Sequence, residues 1–167
     1  NTIDTASSIG TSTEMIQGQF NLTKIGDELV TNGDFATDSD WNKNGTITIS
    51  GGTANFNNSA SGNNVQQTVT LPSGKQYIAT YEITSITEGK FSIYVGGVLS
   101  GNQNNQVGVY TEVFTSIGIN AIYVRARGTT TGSIDNVSVK EVRATTVEAS
   151  KCLADTIHRI GLQDIQN

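Results

Sequence analysis

The chain has 167 residues and a net charge of -5 at pH 7. This length corresponds to one domain with attached ends rather than two independent cores. Because nucleic-acid affinity rests on clustered Lys and Arg, the acidic balance argues against nucleic acid as a partner. The single cysteine, Cys152, excludes an intrachain disulfide and a zinc site built from several thiolates.

The composition is typical of an all-β protein that faces the outside of a cell or particle. Charged residues make up only 15% of the chain and hydrophobic residues 35%, and much of the rest is Gly, Asn, Ser and Thr. No apolar run is long enough to cross a bilayer, and no signal peptide opens the chain, so membrane insertion is not expected. Because the first residue is Asn1 and not Met, we expect a processed product or a segment of a longer polypeptide.

Between residues 28 and 142, short runs with period-two alternation are separated by clusters of Gly, Asn and Ser. That arrangement predicts an antiparallel β-sandwich. Nine strands are predicted, over residues 28–30, 46–50, 53–57, 65–71, 76–84, 90–95, 106–115, 121–127 and 133–142.

The alternation also predicts which side chains face the core. On the strand at residues 106–115, the valines are expected to face inward, and Tyr110 and Glu112 outward. On the strand at 121–127, Tyr123, Arg125 and Arg127 are expected to face outward. The residues predicted to be buried are Val69, Tyr81, Ile93, Val109, Val124 and Val137.

The two ends differ from the middle of the chain. Residues 1–27 show no clear period and are interpreted as an N-terminal arm. After residue 142 a capping box at Thr145 and Glu148 predicts a helix over 146–160, within a C-terminal segment at 143–167. Its narrow apolar stripe is expected to pack on a neighbouring subunit or on its own sandwich, and it comprises Ala149, Leu153, Ile157 and Ile160.

Two sequence motifs lie in order at the two ends of the predicted sandwich. The first is Asn32-Gly33-Asp34-Phe35, followed by Trp41, and the second is the closing run at residues 133–139, which contains Asp135. With these motifs the segment 28–142 resembles the jelly-roll carbohydrate-binding modules of the family 4, 9 and 22 type. The resemblance implies an all-β jelly-roll sandwich, with Trp41 as a structural plug beneath the opening loop.

Versions of this domain with Asn- and Thr-rich strands and a closing Val-Ser-Val-Lys-Glu-Val look like those of phage tail, fibre and capsid-appendage proteins. The resemblance implies a non-enzymatic structural component at a virion surface, attached to other virion proteins and to copies of itself, with a trimer favoured. A role in attachment to a host-cell glycan would suit such a component. The alternatives are a binding module of a secreted glycosidase or adhesin, and a surface-layer or pilus subunit.

Sugar binding needs an exposed aromatic face together with polar groups that bond the hydroxyls. The candidate carbohydrate-binding residues are those predicted to face outward, namely Tyr94, Tyr110, Tyr123, Arg125, Gln106 and Glu112.

No catalytic residue is expected. The only histidine, His158, lies on the predicted terminal helix without a residue to orient it. Glu82 and Glu112 are the acidic residues within the central strands, and they carry no distinctive glycosidase motif.

The resemblance also implies a structural Ca²⁺ that joins the opening segment to the closing strand. Asp135 matches the position of the family's calcium-binding Asp in the last strand, and Asp34 lies in the opening motif. Calcium prefers six to eight oxygen ligands, which carboxylates, carbonyls and Asn side chains supply. The alternative is that Asp135 caps a turn or accepts backbone hydrogen bonds.

Overall fold

The structure is a computed structural model in which the backbone of residues 19–148 and the side chains of residues 24–143 are described. Within these residues it contains nine strands and no helix. The compact unit discussed below runs from Ile25 to Arg143, and strand residues 19–24 and 144–148 lie outside it. The strands are β1 (Gln19–Glu28), β2 (Asn42–Lys43), β3 (Ile47–Ser50), β4 (Thr53–Ser59), β5 (Asn64–Gln67), β6 (Gln76–Val95), β7 (Val98–Leu99), β8 (Gly108–Thr115) and β9 (Ile122–Glu148).

Two long antiparallel strands, β6 and β9, organise the fold. They pair from Gln76 opposite Val142 to Val95 opposite Ile122, with register shifts between residues 80 and 90 of β6. Such shifts bend a strand and increase its twist. One continuous ribbon therefore contributes to both layers of an antiparallel jelly-roll sandwich.

The first layer contains β8, residues 76–83 of β6, residues 134–142 of β9, and residues 25–28 of β1. The second layer contains β7, residues 90–95 of β6, residues 122–125 of β9, β5 and β2. The hairpin of β3 and β4 joins β9 near residues 130–134, where the ribbon bends.

The core lies between the layers and is filled mainly by aliphatic and aromatic side chains. Phe56 and Phe91 meet edge to face, with ring centroids 4.9 Å apart. Of the six residues predicted to be buried, Tyr81, Ile93, Val124 and Val137 are buried, and Val69 is half-buried against the core. The all-β jelly-roll prediction is confirmed.

The predicted orientation of β8 is wrong. Val109 is 65% exposed, and Val107 and Val113 are also exposed. The register places Tyr110 opposite Tyr81 and Phe114 opposite Tyr77, on the core side of the layer. Two aromatic rings bury more apolar area than the valines would, so the aromatic face of this strand turns inward.

Two element predictions also differ from the structure. Gln19–Glu28 is a strand, although most of it was interpreted as part of an arm without a clear period. Thr145 to Glu148, the predicted capping box, belong to β9 instead of opening a helix. The rest of the predicted helix, with Leu153, Ile157 and Ile160, lies outside the described residues, as do His158 and Cys152. Within the described part of the chain, no helix could span a membrane.

Candidate functional site

The outer surface of the second layer brings aromatic, cationic and amide side chains together. Tyr94 of β6 lies opposite Tyr123 of β9, and Tyr123 in turn lies opposite Gln66 of β5. The next outward row joins Ser92, Arg125 and Asn64, and the row after it joins Lys90 and Arg127. We call this surface the tyrosine face, and its members are Asn64, Gln66, Lys90, Ser92, Tyr94, Tyr123, Arg125 and Arg127.

Tyr94 and Tyr123 form a stacked pair. Their ring centroids are 4.2 Å apart and their planes differ by 9°. This spacing matches the distance between neighbouring strands, so the rings stand side by side on the sheet. Leu99 lies on the other side of Tyr94 and Gln66 on the other side of Tyr123, so the half-buried pair presents its ring edges and phenol groups at the surface.

The environment of Tyr123 makes its phenol less acidic than that of an ordinary tyrosine. Burial raises the pKa of Tyr123, and the neighbouring Tyr94 raises it further, whereas the charge and hydrogen bond of Arg125 oppose the shift. A protonated phenol both donates and accepts hydrogen bonds, as a sugar hydroxyl does. The tyrosine face thus offers ring surface, phenol groups, amides and a guanidinium within a few residues of one another.

Three of the predicted carbohydrate-binding residues lie together on this face: Tyr94, Tyr123 and Arg125. The other three, Gln106, Tyr110 and Glu112, belong to β8 or to the loop before it, in the other layer. The Tyr110 hydroxyl donates to the Gln106 carbonyl oxygen over 2.8 Å, and its ring packs against Tyr81. The structure therefore does not join the six residues into one site.

The orientation predicted for Glu112 is wrong, for the reason given for Tyr110. Glu112 lies opposite the buried Ala79, and its carboxylate accepts a hydrogen bond of 2.6 Å from the Ser100 hydroxyl. Glu82 lies opposite the exposed Val109, on the other face of the same layer, and accepts a hydrogen bond from Asn136. Two carboxylates on opposite faces of a sheet cannot flank one glycosidic bond, so this pair does not supply glycosidase chemistry.

The two residues predicted to bind calcium lie near each other, where the opening loop meets the closing strand. Asp135 accepts a 2.7 Å hydrogen bond from the Asn136 amide, which matches the alternative that it accepts backbone hydrogen bonds. Burial raises the pKa of Asp135, and so do the nearby charges of Glu82 and Asp34.

The side chains around Asp34 and Asp135 supply too few ligands to hold a calcium ion by themselves. Among residues 24–143, no three His, Cys, Asp or Glu side chains are grouped to hold a metal ion. A hollow of about 360 Å³ beside Asp34 and Asn136 is also lined by Lys140, whose ammonium opposes a second cation. A calcium ion here would depend on backbone carbonyl and amide oxygens to complete its ligands.

The raised pKa predicts that replacing Asp135 by asparagine stabilises the protein at neutral pH without calcium. Below the pKa of an unfolded aspartate, Asp135 is protonated in both states and imposes no cost. As the pH rises through the raised pKa of the folded state, the ionised carboxylate opposes folding. Because solvent screens the charge of this partly exposed carboxylate, we expect a gain of at most about 0.5 kcal/mol in the free energy of unfolding at pH 7.

The measurement is thermal unfolding of both proteins in chelator between pH 3 and pH 8. Asparagine can still accept the Asn136 hydrogen bond, so the comparison isolates the charge. The gain should disappear towards acid pH. An Asp135→Asn protein that is less stable at pH 7 in chelator would contradict the electrostatic account.

Sequence reasoning missed several members of the tyrosine face, including Asn64, Gln66, Lys90 and Ser92. Lys90, Ser92 and Tyr94 alternate with the predicted inward residues Phe91, Ile93 and Val95, so their common orientation was available from the period. The order of strands was not available. Only the pairing of β5 with β9 shows that Asn64 and Gln66 stand beside Arg125 and Tyr123.

Comparison with known proteins gives matches at the level of structure. No protein-family model matches the chain, and no curated protein sequence matches it. The ligand-free carbohydrate-binding module CBM1 of BiXyn10A is similar with a TM-score of 0.52 and 14% identity, over 71% of this chain and 97% of that one. The CBM22-1 xylan-binding domain of Paenibacillus barcinonensis Xyn10C has a TM-score of 0.47 and 13% identity, over 73% of this chain and 99% of that one.

A third similar structure is TmCBM61 in complex with β-1,4-galactotriose, with a TM-score of 0.43 and 15% identity, over 68% of this chain and 98% of that one. At these identities the likeness concerns the fold, and the function of each protein does not carry over with it. The BiXyn10A module is matched along nearly its whole length by the antiparallel sandwich described above. The described part of the chain therefore has the jelly-roll fold of carbohydrate-binding modules.

Proposed function

We propose that this chain is a non-enzymatic glycan-binding domain and that the tyrosine face is its binding surface. The observation that carries the proposal is the stacked pair of Tyr94 and Tyr123 on an outward sheet surface beside Arg125. The exposed parts of the two rings suit the C–H groups of a sugar ring, and the phenol, amide and guanidinium groups suit its hydroxyls. The jelly-roll fold supports the proposal as an analogy.

The proposal predicts that Tyr123→Ala abolishes most of the glycan affinity and leaves the sandwich folded. The wild-type chain is first tested against a panel of soluble polysaccharides by affinity electrophoresis, and the best ligand is then titrated by calorimetry. We expect the variant to bind roughly tenfold or more weakly, because an anchoring aromatic residue contributes about 2 kcal/mol. Its melting temperature should fall by only a few degrees, since Tyr123 lies on the outer side of the sheet and the variant loses mainly the stacking on Tyr94.

Tyr110→Phe is the control at a tyrosine outside the tyrosine face. It alters a tyrosine in the other layer and removes only the hydrogen bond to the Gln106 carbonyl oxygen. This variant should bind as the wild type does. Equal loss of affinity in both variants, or no binding of any polysaccharide by the wild type, would refute the tyrosine face as a glycan site.

We further propose a setting at a virion surface, where such a domain is attached to other virion proteins and forms a homo-oligomer. The support is sequence resemblance alone: Asn- and Thr-rich strands and the closing Val-Ser-Val-Lys-Glu-Val. The competing proposal is a binding module of a secreted enzyme or adhesin. A mass measurement at micromolar concentration separates them, since a trimer favours the first setting and a monomer with protease-sensitive ends favours the second.

A structural Ca²⁺ between Asp34 and Asp135 is part of the same proposal. An ion that binds only the folded state stabilises it by mass action, so millimolar calcium should raise the melting temperature. Asp135→Asn should lose that increase. An identical melting temperature in calcium and in chelator for the wild type would remove calcium from the proposal.

A further inference from the structure

The tyrosine face is cationic, although the protein as a whole carries a charge of -5. The charged residues at residues 64–67, 90–95 and 122–127, the three central strand segments of the second layer, are Lys90, Arg125 and Arg127. All three lie on the outward side, in two adjacent rows of the register. Within the described residues, the four ion pairs lie elsewhere, and none involves these three cations.

Two buried polar atoms on the same face lack a hydrogen-bond partner: the Ser92 hydroxyl oxygen and Arg125 Nε. Ser92 is 0% exposed, and its residue lies opposite Arg125 across the two strands. No other buried side-chain nitrogen or oxygen in the described part of the chain is without a partner. A buried polar group without a partner is costly, which makes two of them at one place informative.

The chemistry of the two groups defines the missing partner. Arg125 Nε only donates, whereas the Ser92 hydroxyl donates and accepts. Even if the guanidinium moved and donated to Ser92, the hydroxyl hydrogen would still lack an acceptor. The pair therefore has one donor in excess, which an acceptor oxygen would satisfy.

We infer that the ligand of the tyrosine face is an anionic polysaccharide, with carboxylate or sulfate groups that meet Arg125, Arg127 and Lys90. The inference rests on the proposed glycan-binding function and specifies the class of glycan. Hydrogen bonds between guanidinium and carboxylate or sulfate are charge-assisted, so they are stronger than bonds to a neutral hydroxyl. Hydroxyl oxygens of either kind of chain can accept hydrogen bonds, but only an acidic chain also supplies counter-charge to the three neighbouring cations.

The test compares two forms of one polymer. Polygalacturonate carries free carboxylates, and its methyl-esterified form has the same backbone with the charge blocked. We expect calorimetry to show at least about tenfold tighter binding of the free acid, which is the scale of a lost charge-assisted hydrogen bond. The preference should weaken as the salt concentration rises, because exposed charges are screened.

Arg125→Gln and Arg127→Gln should each reduce the affinity for the acidic polymer. Arg143→Gln is the matched control, since it makes the same charge change at an arginine that pairs with Glu141 outside the tyrosine face. This control should bind as the wild type does. If Arg125→Gln lowers the melting temperature, its loss of affinity could reflect unfolding, and the result for Arg127→Gln then decides the test.

A parallel titration with chondroitin and chondroitin sulfate separates the two kinds of acid. Preference for the sulfated chain places the ligand charge on sulfate, whereas equal binding of both, together with a preference for free over esterified polygalacturonate, places it on carboxylate.

Three outcomes would overturn the inference. Equal affinity for the free and esterified polymers removes the anionic class but leaves glycan binding intact. Equal affinity for a single-stranded oligonucleotide shows charge attraction without recognition of a sugar. Absence of binding to every polysaccharide, neutral or acidic, defeats the proposed function together with this inference.

Discussion

Gly33→Ala is expected to destabilise the protein strongly, by about 3 kcal/mol. A Cβ at this position would lie 2.1 Å from the backbone carbonyl oxygen of Val137. The same two residues are also hydrogen-bonded, since the Gly33 carbonyl oxygen accepts a 2.8 Å hydrogen bond from the Val137 amide. Alanine must push the opening loop away from the closing strand, because the obstacle is backbone and cannot rotate aside.

The measurement is thermal unfolding, in which a loss of this size corresponds to roughly 10 °C for a domain of this length. Gly101→Ala is the control, because nothing lies within 4 Å of a Cβ built there. Its melting temperature should remain near that of the wild type. If Gly33→Ala melts within about 2 °C of the wild type, the opening loop is not held against the closing strand as described.

This contact explains why the two terminal motifs could be recognised in the sequence. The opening motif needs a glycine where two backbones approach, and Trp41 is buried with its indole nitrogen donating to the Asn32 carbonyl oxygen over 2.8 Å. Phe35 packs beside Trp41, with ring centroids 5.1 Å apart. These requirements fall on particular residue types at fixed positions, so the sequence displays them directly.

The inward and outward faces were predictable only where one face of a strand was clearly the more apolar. Residues 76–83 and 121–127 satisfy that condition, and their predicted burial is confirmed. In β8 both faces are partly apolar, with valines on one and Tyr110 and Phe114 on the other. The choice between them depends on the space beside Tyr77 and Tyr81 of β6, which only the assembled layers define.

The tyrosine face was partly predictable for a related reason. Period-two alternation indicated that Tyr94, Tyr123 and Arg125 point outward, but it gave no information about which strands are neighbours. Tyr110 was therefore grouped with them, although it belongs to the other layer. The stacking of Tyr94 on Tyr123 depends on the register of β6 with β9, which brings together residues separated by almost thirty positions.

Phe91→Ala is expected to produce the other large effect, a loss of about 3 to 5 kcal/mol in the free energy of unfolding. Phe91 is fully buried where the ribbon of β6 and β9 bends, and its ring meets Phe56 at 77°. Removing the ring leaves a cavity between the layers, because the paired strands β6 and β9 cannot move together to fill it.

Val109→Ala is the informative comparison, because Val109 is 65% exposed and should tolerate alanine within about 0.5 kcal/mol. Chemical denaturation of both variants measures the difference, and a Val109→Ala loss as large as that of Phe91→Ala would mean that the valines of β8 face the core after all.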